Sequence, residues 1–344
     1  MELGELLRHA AQRGASDLHL SAGMPPCLRI DGELVPADAE RLGGDQIGAV
    51  LHDVMDDAQR ARHAARHECD FSLDWPGLPR VRVNAYWQAR GPAAALRLIA
   101  RDVPSLEALC LPDALGALSL KAAGLVLVTG PTGSGKSTTL TALLDHRNRS
   151  HAGHILTIED PIEYVHASHR SLVTQREVGA HTHNFASALR AALREDPDAI
   201  LLGELRDLDT IRLALTAAET GHLVFGTLHT RSAAQAVERI VDVFPGDEKQ
   251  AARGLLAESL EAVIAQVLVR RADGPGRLAA QEILLSTPAV RNLIREGKTT
   301  QLQSVLQTGQ HLGMQTFEQH LAGLRAQGRI ERPAARPSSS QAPR

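Results

Sequence analysis

The chain has 344 residues, 43% of them hydrophobic and 22% charged, with a formal net charge of −3. That length predicts two domains rather than one, and the near-neutral balance excludes a globally basic surface for nucleic acid or anionic lipid. No apolar stretch reaches the length of a membrane span, the start lacks the basic and apolar regions of a signal peptide, and Cys27, Cys69 and Cys110 are too scattered for a disulfide framework or a zinc cluster, so a cytoplasmic, reducing compartment is expected.

Residues 3–13 have helical spacing and stop at Gly14. Residues 17–20 and 28–30 read as strands, the second running into an Asp31-Gly32 hairpin turn. Residues 45–67 are polar and helical, 71–74 form a strand, and 80–86 alternate polar with apolar throughout. After Gly91-Pro92, residues 93–99 return as a strand, so the first hundred residues predict an α+β unit with helices on one side of a sheet. Residues 101–123, punctuated by Pro104 and Pro112, read as an ordered linker with a helix. Strands are then expected at 125–129, 154–159, 199–203 and 222–228, with helices at 138–144, 184–195 and 207–220 between them. That alternation predicts an α/β unit with a parallel sheet covered on both faces. From about 232 the pattern reads as mainly helical down to 317–327, and residues 332–344, rich in Pro, Ser, Ala and Arg, read as a disordered tail. No internal repeat is present.

Residues 130–137 read Gly-Pro-Thr-Gly-Ser-Gly-Lys-Ser and fit G-x-x-x-x-G-K-[ST] at every position. The flanks suit a phosphate-binding loop, with an apolar strand before it and an amphipathic helix from Thr138 after it. Gly130, Pro131, Thr132, Gly133, Ser134, Gly135, Lys136, Ser137 and Thr138 are therefore expected to bind a nucleoside triphosphate. Lys136 is expected on the β- and γ-phosphates, and Ser137 on Mg²⁺.

Transfer of a phosphoryl group to water also needs carboxylates and positive charge. Residues 199–204 form an apolar strand ending in Glu204, the form of a Walker B segment, which points at the metal directly or through water. Residues 156–164 end another strand with Glu159, Asp160 and Glu163 around Pro161; Glu163 is placed to polarise a water while Glu159 and Asp160 arrange the loop. Residues 220–230 form a third strand with His222 entering it and His229 at the ligand end. His222 serves equally well as a structural hydrogen-bonding residue. His181 with His183, and His151 with His154, lack a nearby closing carboxylate or thiol, so no zinc site is expected.

Taken in order, these segments resemble the secretion ATPase superfamily and, within it, the PilT-type retraction motors of type IV pili. Gly-Ala-Ser-Asp-Leu-His-Leu-Ser at 14–21 is similar to the N-terminal signature, and the phosphate loop with segments 156–164, 198–206 and 221–230 to the four nucleotide-site boxes. Pro-Ala-Val-Arg-Asn-Leu-Ile-Arg-Glu at 288–296 is similar to the C-terminal motif associated with retraction, with Val290 where Ile is usual. Segment 179–183 and the tail depart from the family pattern. The resemblance implies a PAS-like domain at 1–100, a linker at 101–123, and a RecA-like P-loop ATPase core with a helical C-terminal part at 124–331. It implies a homo-hexamer using ATP and Mg²⁺ to drive pilus retraction and twitching motility. Glu163 becomes the catalytic glutamate and Glu204 the Walker B residue, and Arg82 and Arg97 match positions that reach the nucleotide in such rings. From sequence alone Arg82 shares a strand face with Arg80, which a solvated basic face also explains. The implied location is the cytoplasmic side of the inner membrane at the pilus base. The implied partners are an inner-membrane platform protein and a paralogous motor, with no direct nucleic-acid contact.

Alternatives are disfavoured by composition. Assembly and secretion motors carry a further N-terminal domain and a tetracysteine zinc insertion, whereas no Cys-x-x-Cys occurs here. A nucleic-acid translocase is opposed by an aromatic content of 3% and the negative balance. A small-molecule kinase does not need the His-ended strand, and a non-hydrolysing accessory ring does not need Lys136, Glu163 and Glu204 together.

Overall fold

The computed structural model describes residues 2–30, 32–75, 77–99, 103–274 and 276–331; the expected tail, 332–344, lies outside the described residues. The chain divides into two compact units, Met1–Asp102 and Val103–Arg344. The first contains α1 (Leu3–Gln12), β1 (Asp17–Ser21), β2 (Cys27–Ile30), β3 (Glu33–Pro36), α2 (Gly44–Val54), α3 (Asp57–Arg66), β4 (Glu68–Leu73), β5 (Arg80–Gln88) and β6 (Gly91–Ile99). Among the described residues these strands make one antiparallel sheet in the order β3-β2-β1-β6-β5-β4. Strand alternation sorts its faces. Val81, Val83 and Ala85 of β5 join Leu3, Leu7 and Ala10 of α1 and Ile47 and Leu51 of α2 in one core, while Arg80 and Arg82 alternate onto the other face. Helix α3 buries nothing and is held at its start by a capping box, Asp56 accepting from Gln59 N at 2.7 Å and Gln59 Oε1 accepting from Asp56 N at 3.0 Å.

The second unit contains α4 (Asp113–Ser119), β7 (Gly124–Thr129), α5 (Lys136–Ser150), β8 (His154–Glu159), β9 (Leu172–Glu177), α6 (Phe185–Ala192), β10 (Ala199–Leu202), α7 (Leu208–Glu219), β11 (Leu223–Leu228), α8 (Ala233–Asp242), α9 (Lys249–Ser259), β12 (Leu260–Arg270), β13 (Arg277–Leu285), α10 (Pro288–Arg295), α11 (Leu302–Thr308) and α12 (Phe317–Ala326). Its sheet runs β13-β12-β7-β11-β10-β8-β9, parallel except for β13, which pairs antiparallel with β12. β7 is buried at every residue, and its side chains alternate between two cores. Leu125 and Leu127 pack with residues of α6, α7, α8 and α9, whereas Val126 and Val128 pack with α4 and α5. Both faces are thus covered, which is why the parallel strands read as unbroken apolar runs.

The structure adds to these expectations and corrects one. The stretch after 232 is mainly helical, but it also supplies two strands, β12 and β13, which extend the sheet beyond β7. Local propensity misleads there because residues 249–268 are rich in Ala, Leu, Glu and Gln with little to break a helix, while pairing of β12 with both β7 and β13 decides the outcome. The polar segment Leu172–Glu177 is an edge strand that apolar patterning does not reveal. Helix α5 is buried nearly all round rather than amphipathic, with Asp145, Arg147 and Asn148 among its buried residues.

Candidate nucleotide site

Residues 130–135 turn from the end of β7 into α5, and Lys136, Ser137 and Thr138 open the helix. The turn demands glycine at two places. Gly135 has φ +84°, and a Cβ on Gly130 would fall 2.3 Å from the Gln266 carbonyl oxygen. Gln266 of β12 also fastens the loop: Nε2 donates to Ser134 O at 2.7 Å, and Oε1 accepts from Thr139 Oγ1 at 2.9 Å. Pro131, Thr132 and Gly133 are exposed at the tip, whereas Ser134 Oγ is buried with no hydrogen-bond partner among the described residues. The Lys136 ammonium folds back over the loop, donating to Gly130 O at 2.9 Å and Pro131 O at 3.1 Å. A buried unpaired hydroxyl, an ammonium and the first-turn N–H groups of a helix converge on this turn, so the residues present fit a polyphosphate.

Two of the acidic side chains act on the same lysine. Burial pushes the Lys136 pKa down, and the charges of Glu204 and Glu163 oppose that shift. Glu204 follows β10. Burial disfavours its carboxylate, but Arg206 and His229 outweigh this and hold its pKa below the ordinary range. Arg206 Nη2 lies 2.6 Å from Glu204 Oε2, and His229 Nε2 lies 3.3 Å from Oε1. Asp160 adds negative charge near Arg206. Glu159, at the end of β8, is half-buried. Desolvation raises its pKa even though Thr157, Gln175 and the Glu163 backbone N–H all donate to it. Lys136, Glu163, Glu204, His229, Asp160 and Arg206 are therefore gathered at the C-terminal ends of β7, β8, β10 and β11, where an open α/β sheet takes its ligand.

Other predicted residues are placed elsewhere. His222 precedes β11 at the opposite end from His229, a strand length of roughly 20 Å away, with Nδ1 3.1 Å from Ala217 O. It therefore lies at the end of the sheet away from the phosphate loop. Arg82 and Arg97 belong to the first unit, where they face each other in register across β5 and β6. Arg97 Nε donates to Asp17 Oδ1 at 3.0 Å, so the aspartate of segment 14–21 fixes that guanidinium.

Sequence reasoning gave no role to Gln266, Arg206 or Gln175. A glutamine inside the apolar run of β12 was a signal for the first, and a basic residue two positions after Glu204 for the second. Gln175 sits in a polar strand and carries no comparable signal.

The family model for type II/IV secretion system proteins matches residues 3–282. The chain is 55% identical over 336 residues to the type IV pilus retraction ATPase PilT of Pseudomonas aeruginosa, covering 98% of this chain and 97% of that protein. It is 54% identical over 311 residues to a twitching motility protein of Neisseria gonorrhoeae, covering 90% of this chain and 83% of that one. A crystal structure of the pilus retraction motor PilT with bound ADP superposes with a TM-score of 0.90 at 45% identity, covering 96% and 95% of the two chains. With the phosphate loop intact and similarity running through nearly the whole length, the chain belongs to the type II/IV secretion system protein family.

Proposed function

We infer that the protein is an ATP-hydrolysing motor that drives retraction of type IV pili. The observation that carries the reading is Lys136, seated on the phosphate loop within the charge field of both Glu163 and Glu204, in a chain 55% identical to a retraction ATPase over nearly its full length.

In this reading Lys136 and the loop N–H groups bind the β- and γ-phosphates. Glu163 accepts a hydrogen bond from the attacking water and takes its proton as the oxygen bonds to phosphorus and the bond to the leaving ADP oxygen breaks. Among the described residues no three His, Cys, Asp or Glu side chains cluster as a metal cage. The Ser137 hydroxyl, with Glu204 through water, would hold Mg²⁺, an oxygen-only donor set suited to that ion, and the ion would offset negative charge on the phosphates. Glu204, its carboxylate kept ionised by Arg206 and His229, orients that shell rather than moving a proton.

The wider reading is a cytoplasmic homo-hexamer at the inner-membrane pilus base. Each subunit has a PAS-like domain at 1–100, a linker at 101–123 and a RecA-like ATPase domain at 124–331. Arg82 and Arg97 supply positive charge to nucleotide, and an inner-membrane platform protein and a paralogous motor are partners. Among the described residues no helix is long and apolar enough to cross a membrane, which fits peripheral attachment. The test is nucleotide binding measured beside steady-state hydrolysis. Lys136→Ala should lose both, whereas Glu163→Gln should bind normally and turn over about a hundredfold or more slowly. Near-normal turnover in Glu163→Gln would move the catalytic role to another carboxylate.

A further inference from the structure

The segment carrying Glu163 has no regular secondary structure between β8 and β9. Its backbone polar groups still need partners, and a catalytic carboxylate needs a fixed peptide beneath it. Side chains supply both, and two of them come from the polar edge strand β9. Gln175 Nε2 donates to Tyr164 O at 2.8 Å and to Glu159 Oε1 at 3.1 Å, while Gln175 Oε1 accepts from His166 N at 2.8 Å. Both N–H donors and the carbonyl of one amide are thereby used on one loop and its base. Glu177, two residues along and on the same face of β9, accepts from Ile162 N at 3.1 Å. Glu159, held by Gln175 and by Thr157 Oγ1 at 2.6 Å, is stabilised as a carboxylate by the nearby backbone N–H of Glu163 itself. At the far end Asn148 of α5 donates to Ala167 O at 2.7 Å and accepts from His169 N at 3.0 Å.

The peptide groups on both sides of Glu163 are thus fastened through one side chain, directly at Tyr164 and His166 and through Glu159 at Glu163. We propose that Gln175 is a positioning residue for hydrolysis: its amide clasps residues 163–166 against β8 and β9 and sets the Glu163 carboxylate at the distance from the phosphate loop that lets it orient water. Gln175 touches neither water nor nucleotide and acts only through Glu163. The proposal rests on the assignment of Glu163 as the catalytic glutamate.

An amide can be replaced here by a group that titrates. In Gln175→Glu the carboxylate still accepts from His166 N, but when ionised it loses both donors and sets a second negative charge against Glu159. Protonated, it regains one donor. A carboxyl beside a buried carboxylate has a raised pKa, so the protonated form becomes accessible toward mildly acidic pH. The titratable groups facing this position among the described residues include Glu159, Glu163 and Glu177, together with His166, whose pKa burial pushes down.

The experiment uses the full-length chain, with hexamers verified by light scattering, and measures kcat, ADP affinity and thermal stability for Gln175→Ala, Gln175→Met and Gln175→Glu beside Glu163→Gln. Gln175→Ala and Gln175→Met should lower kcat by about tenfold to a hundredfold, the cost of misplacing a catalytic group by a fraction of an ångström to one ångström. Their ADP affinity should stay within about twofold, since the phosphate loop keeps its own partners. The kcat of Gln175→Glu relative to the unsubstituted chain should rise as pH falls from about 8.5 to about 6. An unchanged kcat in Gln175→Met, a fall of kcat and ADP affinity in equal proportion, or a pH-independent ratio for Gln175→Glu would overturn the proposal. Should Glu163→Gln itself turn over normally, the assignment of Glu163 fails instead, and the two failures are distinguished within one data set.

Discussion

Glu204 shows how far a single residue's role can be argued from its neighbours. Its two carboxylate oxygens are engaged separately, by Arg206 and by His229. Burial opposes ionisation, Arg206 and the His229 contact favour it, and these partners win. The sign for pH follows. A depressed carboxylate pKa contributes stability that is present above the ordinary carboxylate range and fades as pH falls through the lowered folded value. Arg206→Ala removes the larger of the two partners and leaves the burial in place, so the Glu204 pKa should rise. The acidic limb of the kcat profile should then move to higher pH, with little change on the alkaline side. An acidic limb that stays in place would mean that Glu204 does not control it. Arg206 is exposed, so the shift should shrink as salt is added.

At the scale of elements, α10 carries the segment similar to the retraction motif. Thr287 caps it, accepting from Val290 N at 3.3 Å, and Pro288 occupies its first turn. Its two arginines face α9 rather than open solvent. Arg291 Nη1 donates to Ala257 O at 3.0 Å and Glu258 O at 2.5 Å, covering carbonyls at the α9 C-terminus, and Nη2 reaches Glu261 Oε1 at 3.3 Å. Glu261 also pairs with Lys121 at 2.9 Å, just ahead of β7. Arg295 pairs with the exposed Glu258. The two residues should therefore behave differently. Arg291→Ala strips partners from half-buried carbonyls and should cost about 1–3 kcal/mol of stability. Arg295→Ala breaks a surface pair and should cost less than about 1 kcal/mol. Denaturant unfolding of the two variants decides it, and equal losses would contradict the assignment of Arg291 as a cap. Arg295→Ala is accordingly the cleaner probe of coupling between hydrolysis and retraction.

The same scale explains what was legible beforehand. The strands at 125–129, 154–159 and 222–228 are apolar runs bounded by turn residues, and the phosphate loop announces itself through glycines that the geometry requires. β12 was hidden because α9 passes into it without a breaking residue, Ser259 closing one and Leu260 opening the other. β9 was hidden because its residues are chosen for polar side chains that grip the loop, not for a buried face. Such partners come from distant sequence and leave no local pattern. Glu163 could be named from its own segment; Gln175 could not.

For the molecule as a whole, the two units carry different parts of the proposed chemistry. The second holds the phosphate loop and its carboxylates. The first holds Arg82 and Arg97, paired across one strand ladder, with Arg97 fixed by the buried Asp17. A guanidinium braced by a carboxylate within its own unit is pre-organised for an anion, and an arginine supplied to a phosphoryl-transfer site accelerates it by about 10³–10⁵. In a ring, such an arginine can serve the site of a neighbouring subunit, so defects in the two units should complement each other. The most direct measurement is surface pili per cell in a strain lacking the gene. That strain should be over-piliated and immotile, and the unsubstituted chain should restore retraction. Arg97→Ala or Lys136→Ala alone should not restore it, while the two expressed together should do so in part, because mixed rings contain some intact sites. A bald deletion strain, or one with unchanged pili, would contradict the retraction motor.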